Sequence, residues 1–212
     1  MVASRKPPID LVFKPDFGAV RRAQALLQGI PNGYKKAAGG AVNDISKTVR
    51  SRITKRISKT LALKQKYIRD NVRISRAGAG DHFTLDRRVR IVGAREPLIE
   101  FGATQKKKGV GYRIERGGKR STIPGAFIAE MPTGGRAGQA LDFIRTGESG
   151  HVGVFKRRRK DRLPISELDG PSIPAVYQHH EEIEAETLSD IPGKLSERIV
   201  ARAELLMKRS LK

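Results

Sequence analysis

Thr122-Ile123-Pro124-Gly125-Ala126-Phe127-Ile128-Ala129-Glu130-Met131-Pro132 decides how the middle of this chain folds, together with RLPISELDGPSIPAV from Arg162 to Val176. β-prone apolar residues (Ile123, Phe127 and Ile128) flank a Pro-Gly pair. Pro124 has no backbone donor and a fixed φ, while Gly125 can take the positive φ that a bend or bulge needs. The pattern predicts a strand broken by a bulge. It returns through Val152-Gly153-Val154-Phe155 to a strand ending in Pro-rich loops. Between them lie Gly134-Gly135-Arg136-Ala137-Gly138 and the run Lys156-Arg157-Arg158-Arg159-Lys160. That layout suits a hairpin with a long, mobile, basic tip. In a chain with few aromatics, Phe127 is expected to be a buried anchor.

Upstream, Arg88 to Val92 alternates as a strand does, Leu98 to Phe101 reads as a second strand, and Val110, Tyr112 and Ile114 mark a third. Gly117-Gly118 turns the chain into the opening stretch. The expectation is one antiparallel sheet of about four or five strands, a common size. Before Arg88 the period is helical. Asp16 is placed to cap a helix from Phe17 to about Gln28, broken by Gly29 to Gly33. From Tyr34 to about Lys59, Ala38, Val42, Ile45, Val49, Ile53 and Ile57 recur at steps of three and four, one stripe on a helix. Its other faces carry Lys47, Arg50, Arg52, Lys55, Arg56 and Lys59, read as solvated surface in preference to a nucleic-acid contact. A short helix restarts at Thr60-Leu61 and ends near Asn71, and Ala77 to Gly80 reads as a loop. After Pro174 the chain is helical again, and a last helix starts at Pro192 with Leu195, Ile199, Ala203 and Leu206 inward. The fold class is therefore α+β, with N-terminal helices, an antiparallel sheet with a long basic hairpin loop, and a C-terminal helix packed on the sheet. By sequence, residues 1–80 form the helical region and 81–212 the sheet with its C-terminal helices, together one compact unit.

Charge is the dominant number. Among 212 residues, 43 lysines and arginines against 22 acids give +21, which favours polyanions or acidic protein partners without choosing between them. With 38% hydrophobic and 5% aromatic residues and no Trp, the core is lean, a condition often completed by assembly. Without Cys there are no disulfides, zinc-thiolate sites or cysteine nucleophiles. No apolar run approaches the ~20 residues of a membrane span, and MVASRKPPID lacks the apolar core of a signal peptide. The chain is expected to be made and assembled in the cytoplasm.

Patterns that invite an enzyme reading fail on spacing. Gly78-Ala79-Gly80 and the Gly134 to Gly138 run lack the Gly-Lys-Ser/Thr of a phosphate cradle. In His179-His180-Glu181-Glu182, helical geometry lets only His180 share a face with Glu184, too few ligands for a metal site. His82 and His151 stand alone, with no nucleophile at motif spacing. The reading is a non-enzyme with no cofactor and no metal. What remains is the basic clusters, Lys106-Lys107-Lys108 and Lys156, Arg157, Arg158, Arg159, Lys160, at strand ends or loop tips. They are candidates for a partner or for sequence-independent phosphate contact. The bland alternatives are solubility or salt bridges to an acidic neighbouring subunit.

IPGAF (Ile123, Pro124, Gly125, Phe127), a short strand ending in a basic run, LPI (Leu163, Pro164) and the PSIP segment (Pro171, Pro174) together resemble the minor tail protein Z family of tailed bacteriophages. The likeness continues into Pro192 to Glu197 and, upstream, into Arg90-Ile91 and Pro97 to Gly102. It implies a virion protein that completes the tail and helps join it to the head at the neck. The expected partners are copies of itself in a ring, taken as a hexamer, neighbouring neck and tail proteins, and packaged DNA through non-specific contact, with no membrane. Its place is the tail or neck of the virion. The long Gly134 to Gly150 insertion departs from the family's hairpin and leaves the contacts of its tip open. The alternative from a different class is a free, basic, sequence-independent nucleic-acid-binding protein, supported by charge alone.

Overall fold

A computed structural model of the chain describes residues 8–76, 86–131, 150–161 and 163–210. The residues before Pro8, the loop at 77–80, His82, the Gly134 to Gly138 run and Arg162 lie outside the described residues. The chain is α+β and divides into two compact units interleaved in sequence, one holding Lys6–Ile57, Lys66–Val92 and Pro174–Lys212, the other Ser58–Gln65 and Gly93–Ile173.

The first unit is mainly helical. Its elements are β1 (Ile9–Phe13), α1 (Phe17–Leu26), α2 (Gly33–Thr60, whose last turn belongs to the other unit), α3 (Gln65–Asn71), β2 (Val72–Arg76), β3 (Arg87–Ile91), α4 (Ile173–His179), α5 (Glu181–Leu188) and α6 (Ile191–Ser210). The Asp16 carboxylate accepts a hydrogen bond from Ala19 N–H at 2.9 Å and so caps α1. Every residue of the α2 stripe from Ala38 to Ile57 is at most 2% exposed, as its spacing requires. Leu195, Ile199 and Ala203 bury the matching face of α6, which packs against α1 and borders β1 around a cavity of about 600 Å³. The α2 basic face is not simply solvated. Arg52 clasps both oxygens of Asp190, at 2.5 and 2.9 Å, and Arg56 pairs with Glu186. On the same helix, Asp44 takes two hydrogen bonds from Arg202 at 2.7 and 2.9 Å.

Two strands here escaped the sequence reading. β1 and β2 flank β3 in an antiparallel sheet, with Leu11 and Ile74 both opposite the buried Val89. The short helix expected from Thr60-Leu61 begins instead at Gln65, because Leu61 bridges to Glu115 and the Ala62 N–H bonds to Ile114 C=O at 2.8 Å.

The second unit carries a 3₁₀ turn (Leu98–Phe101), β4 (Thr104–Lys106), β5 (Gly109–Tyr112), β6 (Ser121–Pro124), β7 (Ala126–Met131), β8 (His151–Arg157) and β9 (Ile165–Glu167). The strands of the single expected sheet fall in three antiparallel three-stranded sheets: Arg88 to Ile91 belongs to β3 of the helical unit, and the rest form β4-β5-β6 and β7-β8-β9 here. The strand expected over Leu98 to Phe101 is the 3₁₀ turn. Leu98 and Phe101 are both buried, and three residues apart they share a side of a 3₁₀ turn but fall on opposite faces of a strand. Arg116 fixes the Ser58 to Gln65 segment by donating to the carbonyls of Ser58 and Leu63.

Phe127 is half-buried, not the expected anchor. Alternation gives the inward place at the start of β7 to Ala126, 3% exposed, and turns Phe127 away. There it lies 6.2 Å from the Phe155 ring under the Arg157 guanidinium. The most deeply buried aromatic of this unit among the described residues is Phe101, 1% exposed.

Phe101→Ala should therefore destabilise the protein by about 3–5 kcal/mol, and Phe127→Ala by clearly less. Urea unfolding midpoints compare them directly, and an equal loss would contradict this ranking. Asp190 supplies a pH test. Hydrogen bonds from Arg52, then Lys194, hold its carboxyl well below the ordinary 3.8. A depressed folded pKa stabilises the fold above the ordinary value, and that contribution is lost as pH falls toward the folded pKa. The melting midpoint of Asp190→Asn should lie below wild type at neutral pH, and the gap should close on acidification below pH ~4. A gap constant with pH would show that the Asp190 charge is not responsible.

Candidate interface at the strand break

The Pro-Gly pair does more than bulge a strand. Gly125, at φ 72°, ends β6 in one sheet and starts β7 in the other, so a single residue passes the chain between sheets. Two features hold the crossing. The Gly125 N–H donates to the Lys108 carbonyl at 3.1 Å, and the Gln105 side chain accepts from Ile128 N–H at 2.9 Å while donating to Gly109 C=O at 3.1 Å. Gly109, at φ 152°, must be glycine for a different reason, since a Cβ there would run into the Ile123 carbonyl.

This crossing brings the two basic runs together. Lys106 is the last residue of β4, and Lys107 and Lys108 form its turn into β5. Lys108 is bonded to Gly125, the next residue Ala126 pairs with Lys156, and Lys156 continues into Arg157 to Lys160. Backbone geometry then sets Lys108 and Lys156 within about 15 Å, Cα to Cα. The second run is not all loop tip, because Lys156 and Arg157 are the last residues of β8. All eight cations are exposed, and none forms an ion pair with another described residue. Arg157 stacks 5.0 Å from the Phe127 ring centroid, and Arg158 donates to Ser166 Oγ and, through its backbone, to Pro164 C=O at 3.0 Å. Sequence reasoning found both runs. It missed their union, because nothing local in either run announces the Gly125–Lys108 hydrogen bond.

The other singled-out residues serve the frame. Ile123 is half-buried in β6, Pro124 closes that strand, and Leu163 is exposed. Pro171 is half-buried, while Pro174 is buried in the first turn of α4. His151 does not stand alone: its Nε2 lies 2.6 Å from Glu167 Oε1 on the facing strand of the sheet. His179 and His180 are divided by a break between α4 and α5, and His180 meets Glu182 at 2.8 Å, so the two histidines and two glutamates do not share one helix. Among the described residues no cluster of three or more His, Asp or Glu side chains is placed to hold a metal, and no helix is long and apolar enough to cross a membrane.

The family model described as prophage minor tail protein Z matches residues 19–209 of the 212-residue chain. No curated protein and no solved structure matches it.

The two glycines separate two kinds of constraint. A Cβ at Gly125 meets nothing within 4 Å, so Gly125→Ala carries only the cost of the left-handed backbone, about 1–2 kcal/mol. Gly109→Ala adds a collision with backbone and should be the more destabilising of the two. Chemical denaturation of both variants, with Gly125→Asn as a milder replacement, checks the order. A Gly109→Ala protein as stable as Gly125→Ala would show that the β5-β6 approach is not as close as described.

Proposed function

The chain belongs to the prophage minor tail protein Z family and is a structural protein of a bacteriophage tail, and from that premise we propose that it completes the tail and helps join it to the head at the neck. The observation that carries the proposal is the exposed basic surface gathered at Gly125, eight cations with no described counter-charge of their own. Cations left unpaired on strand ends and a hairpin turn are available to a partner outside the chain. We assign them to that role, facing either an acidic neighbour or packaged DNA in the neck.

The proposed assembly is a ring of copies, taken as a hexamer. The edge strands β1 and β2 of the sheet β1-β3-β2 support lateral contact between copies. Assembly takes place in the host cell and the finished protein resides in the virion. The proposal gives the chain no catalytic step.

Replacing Arg157, Arg158 and Arg159 together with Ser tests the role. Surface changes of this kind rarely exceed ~0.5 kcal/mol each, so the melting midpoint should move little. Phage carrying the variant should accumulate free heads and free tails, counted by electron microscopy. Joined virions in normal yield would remove the basic surface from the joining step.

A further inference from the structure

We infer that Lys106–Lys108 and Lys156–Lys160 act as one site, and that its ligand is the phosphate backbone of duplex DNA, contacted without regard to sequence. This rests on the tail reading only for its setting in the virion. The binding itself is argued from the surface. Three classes of partner could meet eight cations: a second copy of the chain, an acidic face of another protein, or a nucleic acid.

A second copy is poorly matched. Several of its carboxylates are engaged at home: Asp10 by Arg90 at 2.7 Å, Asp44 by Arg202, Asp190 by Arg52 and Lys194. Of the four glutamates on α5, Glu182 is held by His180 and Glu186 by Arg56. Bringing the same basic surface of a second copy against this one would place like charge on like.

An acidic protein face is also disfavoured, by composition. Protein interfaces centre on apolar and aromatic side chains and are depleted in lysine. Here five of the eight residues are lysines. The nearest rings are withheld, Phe155 being 6% exposed and Phe127 lying under Arg157. A surface rich in cations and poor in open apolar area is what a phosphate backbone requires. The same withheld rings argue for a duplex over a single strand, whose unpaired bases need aromatic platforms.

The test measures binding of the full-length protein to a random-sequence duplex of about 20 base pairs by fluorescence anisotropy, in salt from 50 to 200 mM. If all eight cations meet phosphates, log K should fall against log salt with a slope of about −7, roughly a 10⁴-fold loss over that range. Lys107→Ser with Lys108→Ser should flatten the slope by about 2, and Arg159→Ser with Lys160→Ser by about 2 again. The four changes together should flatten it by about 4 on a single-phase curve. Lys47→Ser with Lys59→Ser, on the exposed face of α2, should leave it unchanged. A slope untouched by either pair, or affected by one pair only, would overturn the single site. Equal affinity for polyglutamate, or tighter binding of a single strand, would overturn the ligand. Virion joining is scored separately. Variants that lose duplex binding yet join heads to tails normally would leave the site intact and sink the neck role.

Discussion

The sheet unit depends on one hydrogen bond, from the Gly125 N–H to the carbonyl of Lys108. A strand that simply continued past Pro124 would extend the β4-β5-β6 sheet. Pro124 offers no donor to continue that ladder, and the left-handed Gly125 turns the chain so that Ala126 begins pairing with β8. Lys108 then closes the corner from the other side. Gln105 repeats the closure three residues on, its amide oxygen accepting from Ile128 N–H across the corner while its amide nitrogen donates to Gly109 C=O within its own sheet. Corner and basic surface are thus one construction, because the group that receives the Gly125 donor belongs to a lysine run.

Electrostatics follows the same partition. In the helical unit, arginines of α2 and α6 lie close to carboxylates: Arg52 on Asp190, Arg56 on Glu186, Arg202 on Asp44. These pairs are partly exposed, so each adds little to stability. Their effect is to balance the charge of those arginines locally. Around Gly125 no such pairing occurs among the described residues. The excess of +21 is therefore spread unevenly, and part of it is concentrated where the chain crosses between sheets.

How much of this was legible in the sequence follows from how local each determinant is. The α2 stripe was read correctly residue by residue because a long amphipathic helix states its buried face every three or four positions. The Asp16 cap and the β7-β8 hairpin were also legible, each resting on a few adjacent residues. β1 and β2 were not, because five-residue strands beside Pro7-Pro8 or at the end of α3 offer too short a pattern to separate from loop or helix end. Leu98 to Phe101 misled because four apolar-rich residues carry no period. Their burial on a shared side, which selects the 3₁₀ turn, is a tertiary fact. Phe127 misled through size. A large aromatic in an apolar strand looks like an anchor, yet its register put the small Ala126 inward and left the ring to Phe155 and Arg157. The candidate surface was legible in its parts, and only the Gly125 crossing made them one.

The proposed ring of strongly cationic subunits raises a physical question that total charge cannot answer. At physiological salt the Debye length is about 8 Å, so a contact between copies feels the charges lining it, not the +21 of the whole chain. Around the Arg52–Asp190, Arg56–Glu186 and Arg202–Asp44 pairs of the helical unit, charges of both signs lie within that distance. The surface at Gly125 presents eight cations within the reach of two short runs. Contact between copies is accordingly cheapest away from that surface, which leaves it open to a polyanion after the ring has formed. A single polyanion spanning the basic surfaces of several copies would link them, so ligand and ring would stabilise each other. The coupling is reciprocal: whatever the polyanion adds to the ring, the ring adds to the affinity for the polyanion.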